Sequence, residues 1–250
     1  MVIRWRLVVL VALAAIAVAC AGCGSGGESP AEPSEARQPA AEQAASATGP
    51  EGGDSESRPV LLLGRSVMGG WFTHWGRDGS PESMPVVRDG YALTYGEVSG
   101  PPDIASSAVQ HMEQAPEGGI VVFKFCFVDF LGDDDADTRL AQQKGWVETV
   151  AAKARERGQH LIVGNALPQV ASATTPQLVA EHRAFNAWLE GFAADSGGAV
   201  SVLDLHGTLA GSDGALEAGY AASPDDSHLN DRGYAELDRV LFGLLGEVAD

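Results

Sequence analysis

The chain predicts an α/β fold: a three-layer sandwich with a mostly parallel sheet of roughly five strands between two layers of helices. Three observations carry this. Short apolar runs alternate with helical patterns along the last 190 or so residues, the order that produces parallel strands with helical crossovers. Those runs are rich in Val, Ile, Leu and Phe with hardly a polar interruption, as expected of strands buried on both faces. The segment is also long enough for one domain with a full core.

The elements follow in order. Val60–Leu63 is the first strand, and Trp71, Phe72 and Trp75 after it suit a helix packed on the sheet. Tyr91–Val98 is a weaker strand candidate, and Ile104–Gln114 has helical periodicity. Ile120–Phe127 is the central strand, followed by a helix over Thr138–Arg157 that Gly158 ends. His160–Val163 is a strand; Thr175 caps a helix over Pro176–Ala194, with proline at the first helical position. Val200–Leu203 is the last strand, and a helix over Leu237–Val248 closes the chain. No internal repeat is visible.

In open sheets of this kind ligands bind beyond the carboxyl ends of the strands. Ser66 follows the first strand, in Gly64-Arg-Ser66-Val-Met-Gly-Gly70, and Asp129 follows the central one. Asp225 and His228 lie after the last strand, in Ser223-Pro-Asp225-Asp-Ser-His228-Leu-Asn230. A serine hydroxyl needs a base to become a nucleophile, and a histidine base needs a carboxylate to hold its tautomer. The chain holds all three, in the order Ser, Asp, His. Taken singly each has a plainer reading: Ser66 as a helix cap, and Asp225, Asp226 and Asn230 as turn and cap residues.

The sequence resembles the SGNH (GDSL-type) hydrolase superfamily over residues 59–248. Gly64-Arg-Ser66 stands at its nucleophile block and Asp225-Asp-Ser-His228-Leu-Asn at its Asp-x-x-His block. Glu181-His-Arg183-Ala-Phe-Asn186, Val202-Leu-Asp204-Leu and Gly233-Tyr are similar to framework positions. The resemblance implies a flavodoxin-like sheet, Ser66 as nucleophile, His228 as base and Asp225 as its orienting acid. Asp226 is the nearer alternative acid, or else a cap or solvent-facing residue. The family's Gly-x-Asn-Asp block falls at Cys126-Phe-Val-Asp129, where no asparagine stands. Oxyanion donors are then sought in the Ser66 and Gly100 amides, in Asp129 if it is protonated, and in Asn165. The activity implied is a serine esterase or O-acyltransferase acting on acylated glycans or small esters. A ligand-binding module that has lost turnover is the other reading.

The ends and the composition bound the rest. Arg4 and Arg6 precede an apolar run, Leu7–Ala19, that is short for a spanning helix, and Cys20-Ala-Gly-Cys23 ends it. Ala21-Gly22-Cys23 resembles a bacterial lipoprotein cleavage box, with Cys23 the expected lipidation site and Cys20 the fallback. Residues 1–22 are then a signal peptide, 23–58 a disordered tether of Gly, Ser, Pro, Ala and Glu, and 59–250 the folded domain. The chain carries 34 acidic against 16 basic residues, a formal −18. Losing Arg4 and Arg6 with the signal leaves −20, a poor surface for nucleic acid or anionic lipid. Cys126 would be the one cysteine left outside the lipid anchor. The scattered His74, His111, His160, His182 and His206 have no metal-ligand spacing, and no phosphate-binding glycine loop is present. Expected, then, is an extracytoplasmic, lipid-anchored monomer without cofactor or metal.

Overall fold

The computed structural model describes residues 57–77 and 85–248. Cys20, Cys23, the signal segment and all but the end of the tether lie outside the described residues. The first strand, β1 (Arg58–Gly64), leads directly into α1 (Ser66–His74). A short β2 (Val86–Arg88) turns back into β3 (Tyr91–Glu97), and α2 (Ile104–Gln114) follows. Next come β4 (Ile120–Lys124), one 3-10 turn (Phe127–Asp129), α3 (Ala136–Glu156) and β5 (His160–Gly164). The chain continues through α4 (Pro176–Ala194), β6 (Val200–Leu203) and α5 (Leu205–Leu209). It ends with the hairpin strands β7 (Ala221–Ser223) and β8 (Asp226–Leu229) and the helix α6 (Asp231–Glu247).

Six strands form one sheet in the order β2-β3-β1-β4-β5-β6, parallel except at the β2 edge. Counting the parallel strands alone, the order is second, first, third, fourth, fifth, which reverses between β1 and β4. That reversal is the topological switch point, where the crevice of such a sheet opens. Strand alternation divides the core into two layers. Val60 and Leu62 of β1 pack on one face with Val67, Met68, Trp71 and Phe72 of α1 and Leu237, Leu241 and Leu245 of α6. Leu61 and Leu63 pack on the other with Met112 of α2, Val147 and Val150 of α3, and Phe185 of α4.

Four sequence expectations change in detail. The edge strand β2 brings the sheet to six strands; three residues are too few to show a period. The central strand stops at Lys124, because Asp129 turns back to accept the Cys126 N–H (2.8 Å) and closes the 3-10 turn. The last helix begins at Asp231, capped by Asn230, whose side chain accepts the Gly233 N–H at 3.0 Å; polar residues and Gly233 in its first turn hide the apolar period. Arg58, placed in the tether by composition, already belongs to β1, pairing with Tyr91.

Candidate active site

Ser66 is the first residue of α1, immediately beyond the carboxyl end of β1, and its side chain is exposed. The helix is clamped from behind. Tyr234 of α6 donates its hydroxyl to the Val67 carbonyl (3.2 Å), and Trp71 and Trp75 donate their indole N–H groups to Asp238 at 2.6 and 2.9 Å. Gly70 has to be glycine here, since a Cβ would overlap the Tyr234 hydroxyl. Two aromatic donors and one buried tyrosine thus fix the helix whose first residue is the serine.

His228 arrives from the other end of the chain on β8. Side chains alternate along a strand, and here Ser227 and Leu229 point inward while Asp226 and His228 share the open face. Ser227 Oγ accepts the Val170 N–H (3.1 Å), tying β8 to the loop after β5. Phe127 packs edge-on against the imidazole, with ring centroids 5.3 Å apart. His228 Nε2 lies 2.9 Å from Ser66 Oγ, and His228 Nδ1 lies 2.6 Å from Asp226 Oδ1. In the tautomer this network requires, Nδ1–H donates to the carboxylate and the serine hydroxyl donates to Nε2. The same Asp226 oxygen accepts the His228 backbone N–H at 2.9 Å. The backbone bond and the ring bond together hold the Asp226 carboxyl below the ordinary aspartate range.

Asp225, the acid expected from the Asp-x-x-His spacing, is not the residue beside His228. It precedes β8, is exposed, and makes no hydrogen bond or ion pair to the histidine. The reason is the local period: on an extended segment residues two apart share a face, and residues three apart do not.

The expected oxyanion donors also sort differently. The Ser66 amide opens a helix, where first-turn N–H groups have no helical acceptor, and Gly100 sits in the loop between β3 and α2. Asp129, by contrast, is an acceptor at both oxygens. It is buried, pairs with the Arg65 guanidinium through Oδ1, and takes the Cys126 N–H through Oδ2. A carboxylate held this way donates nothing. Asn165 is occupied as well: its Nδ2 donates to Asp204 Oδ1 (2.7 Å) and its Oδ1 accepts the His206 N–H (2.8 Å). It joins the end of β5 to the turn after β6, and is not free to reach an oxyanion. Val128 occupies the asparagine's place and is half exposed.

Three residues of this region were not singled out from the sequence. Phe127 and Arg65 are named above; the third is Lys124, at the end of β4. Its ammonium is fully buried, donates to the Phe125 carbonyl (3.2 Å), and is pushed down to about 8, mainly by burial. An Arg immediately before the serine, and a lone Lys in an apolar strand, were the available signals. Two open clefts lie in this region, and one of them holds the serine and the histidine. One, about 490 Å³, is lined by Ser66, His74, His228, Leu229 and Tyr234. The other, about 430 Å³, lies beyond Asp129 between Pro101, Val128, Leu131 and Trp146. Among the described residues no cluster of three or more His, Cys, Asp or Glu could hold a metal ion, and no helix is long and apolar enough to cross a membrane.

Neither a family model nor a curated protein matches the sequence. Solved structures do resemble the fold. A GDSL-like lipase from Bacteroides thetaiotaomicron superposes with a TM-score of 0.53 at 14% identity, covering 76% of this chain and 89% of that one. A member of the lipolytic G-D-S-L family from Veillonella parvula gives 0.52 at 16% identity, covering 74% and 96%. The fold is therefore that of the SGNH hydrolases, as the sequence blocks implied.

Proposed function

We propose that this protein is a serine esterase or acyl hydrolase, with Ser66, His228 and Asp226 as its relay. The observation that carries the reading is the continuous Ser66–His228–Asp226 hydrogen-bond chain at the topological switch point, 2.9 and 2.6 Å long. Ser66 Oγ attacks the ester carbonyl carbon as its proton passes to His228 Nε2, and the carbonyl π pair moves to oxygen. Collapse of the tetrahedral intermediate breaks the bond to the alcohol, which leaves with the proton from Nε2. Water, or another hydroxyl in a transfer reaction, then attacks the acyl enzyme by the same route, and Ser66 regains its proton. Asp226 keeps Nδ1–H pointed at itself and balances the imidazolium charge in each half.

The fold likeness to lipolytic proteins supports ester chemistry, and the open cleft lined by Ser66 and His228 leaves room for a substrate beside the nucleophile. Acylated glycans or small esters are the substrates we favour. The Ala21-Gly22-Cys23 box supports an extracytoplasmic protein anchored by lipid on Cys23; the mass of the mature N-terminus tests this, and an unmodified start elsewhere refutes it.

A fluorophosphonate probe on the full chain is the direct test. One covalent label on Ser66, lost in Ser66→Ala, is expected. Absence of labelling in the folded protein would instead favour a ligand-binding module, a reading that Val128 in the asparagine position supports.

A further inference from the structure

We propose that Arg65 is a catalytic residue: its guanidinium donates to the oxyanion in place of the asparagine that Val128 displaces. This rests on the serine hydrolase reading above. Arg65 directly precedes the nucleophile, and its side chain is largely buried, 19% exposed. One arm, Nη2, is held by the Asp129 carboxylate. The other, Nη1, lies alongside Gly100, 3.3 Å from where a Cβ on that residue would sit. A side chain at position 100 would press on the guanidinium, which glycine leaves undisturbed. Nε and Nη2 are buried, Nη2 against Asp129, whereas Nη1 is not sealed off and makes no hydrogen bond among the described residues. The fork is therefore anchored by charge, with donor capacity left over.

The electrostatics point the same way. The Asp129 carboxylate is paired with Arg65, and the buried Lys124 ammonium is near enough to feel the charges of both. Arg65 and Lys124 against Asp129 give this cluster one net positive charge on the side of Ser66 away from Asp226, in a chain whose formal charge is −18. A tetrahedral intermediate places its negative charge next to the nucleophile, where a partly desolvated cation acts more strongly than it would in water. A guanidinium keeps its proton at every working pH, so this donor needs none of the protonation that an aspartic acid would require. Asp129, taken from the sequence as a possible donor, is a positioning residue that holds Arg65.

The test uses the full chain and p-nitrophenyl acetate. Arg65→Ala should lower kcat about 10²- to 10³-fold, the range seen when one oxyanion donor is removed, with KM changed less than about threefold. Added ethylguanidinium should recover at least about tenfold of the lost kcat, saturably, which a merely structural arginine would not permit. Arg65→Lys keeps the charge opposite Asp129 and serves if the alanine variant does not fold; it should still lose about tenfold or more in kcat through the missing fork. Full kcat in a folded variant, a loss confined to KM, or no response of Arg65→Ala to ethylguanidinium overturns the proposal. Fluorophosphonate labelling of the parent separates the two readings. A parent that labels while Arg65→Ala keeps its kcat refutes only the arginine's role; a parent that neither labels nor turns over refutes the esterase.

Discussion

Replacing the carboxylate that touches His228 separates Asp226 from Asp225 more sharply than any other change. Asp226→Asn keeps the size of the side chain and removes its charge. Its Oδ1 receives two bonds, from the His228 ring at 2.6 Å and from the His228 backbone at 2.9 Å. An amide oxygen in that place could still accept both, but would not balance an imidazolium, and the NH₂ group in the flipped orientation would favour the wrong tautomer. In a buried triad the same substitution costs about 10⁴ in kcat. Here the two side chains are 47% and 41% exposed, so water compensates part of the loss and a fall of about 10²- to 10³-fold is expected. Asp225→Asn should change kcat less than about threefold, because Asp225 does not touch the ring. The assay is initial-rate hydrolysis of p-nitrophenyl acetate over a range of pH, with the melting temperature of each variant as control. The reverse ranking, with Asp225→Asn the crippled variant and Asp226→Asn near the parent, would show that the acid is set by the Asp-x-x-His spacing and that the strand-period argument is wrong.

Two further outcomes concern buried titratable groups. His182 is completely buried with both ring nitrogens unpartnered, and burial, reinforced by the neighbouring His206, pushes it down to about 3. The unfolded chain takes up that proton near pH 6.5 and the native state does not, so the native state loses stability as pH falls from 6.5 towards 3. At pH 4.5 the loss is about 2–3 kcal/mol, and His182→Leu should remove most of it. Urea titrations at pH 7.5 and 4.5 check this; equal acid destabilisation in parent and variant would refute it. Lys124 gives the opposite window: with its ammonium pushed down to about 8 by burial, the parent should gain stability as pH rises from 8 to about 10.5. Lys124→Met should be more stable than the parent at pH 7 by about 1–3 kcal/mol, and should lack that alkaline gain. Urea denaturation at pH 7 and 10 measures both, and a variant less stable at pH 7 refutes the desolvation argument.

The layers of this molecule are local facts of its sequence. Val60–Leu63 and His160–Val163 can be read as buried strands because nearly every side chain is apolar, and Thr175-Pro176 announces a helix start that needs no partner to be recognised. The order of the nucleophile and base blocks, Ser66 before His228, is likewise linear information. Which carboxylate meets the base is not, because it depends on whether the segment after Pro224 is a turn or a strand. Pairing with β7 makes it a strand, and the two-residue period then selects Asp226 over Asp225. The fate of Asp129 was hidden for a similar reason: Arg65 lies 64 residues earlier in the chain, and only the parallel pairing of β1 with β4 brings the ends of those strands together. Residue type and period set which elements form; contacts between strands distant in sequence decide whether a given carboxylate is a proton's neighbour or a cation's anchor.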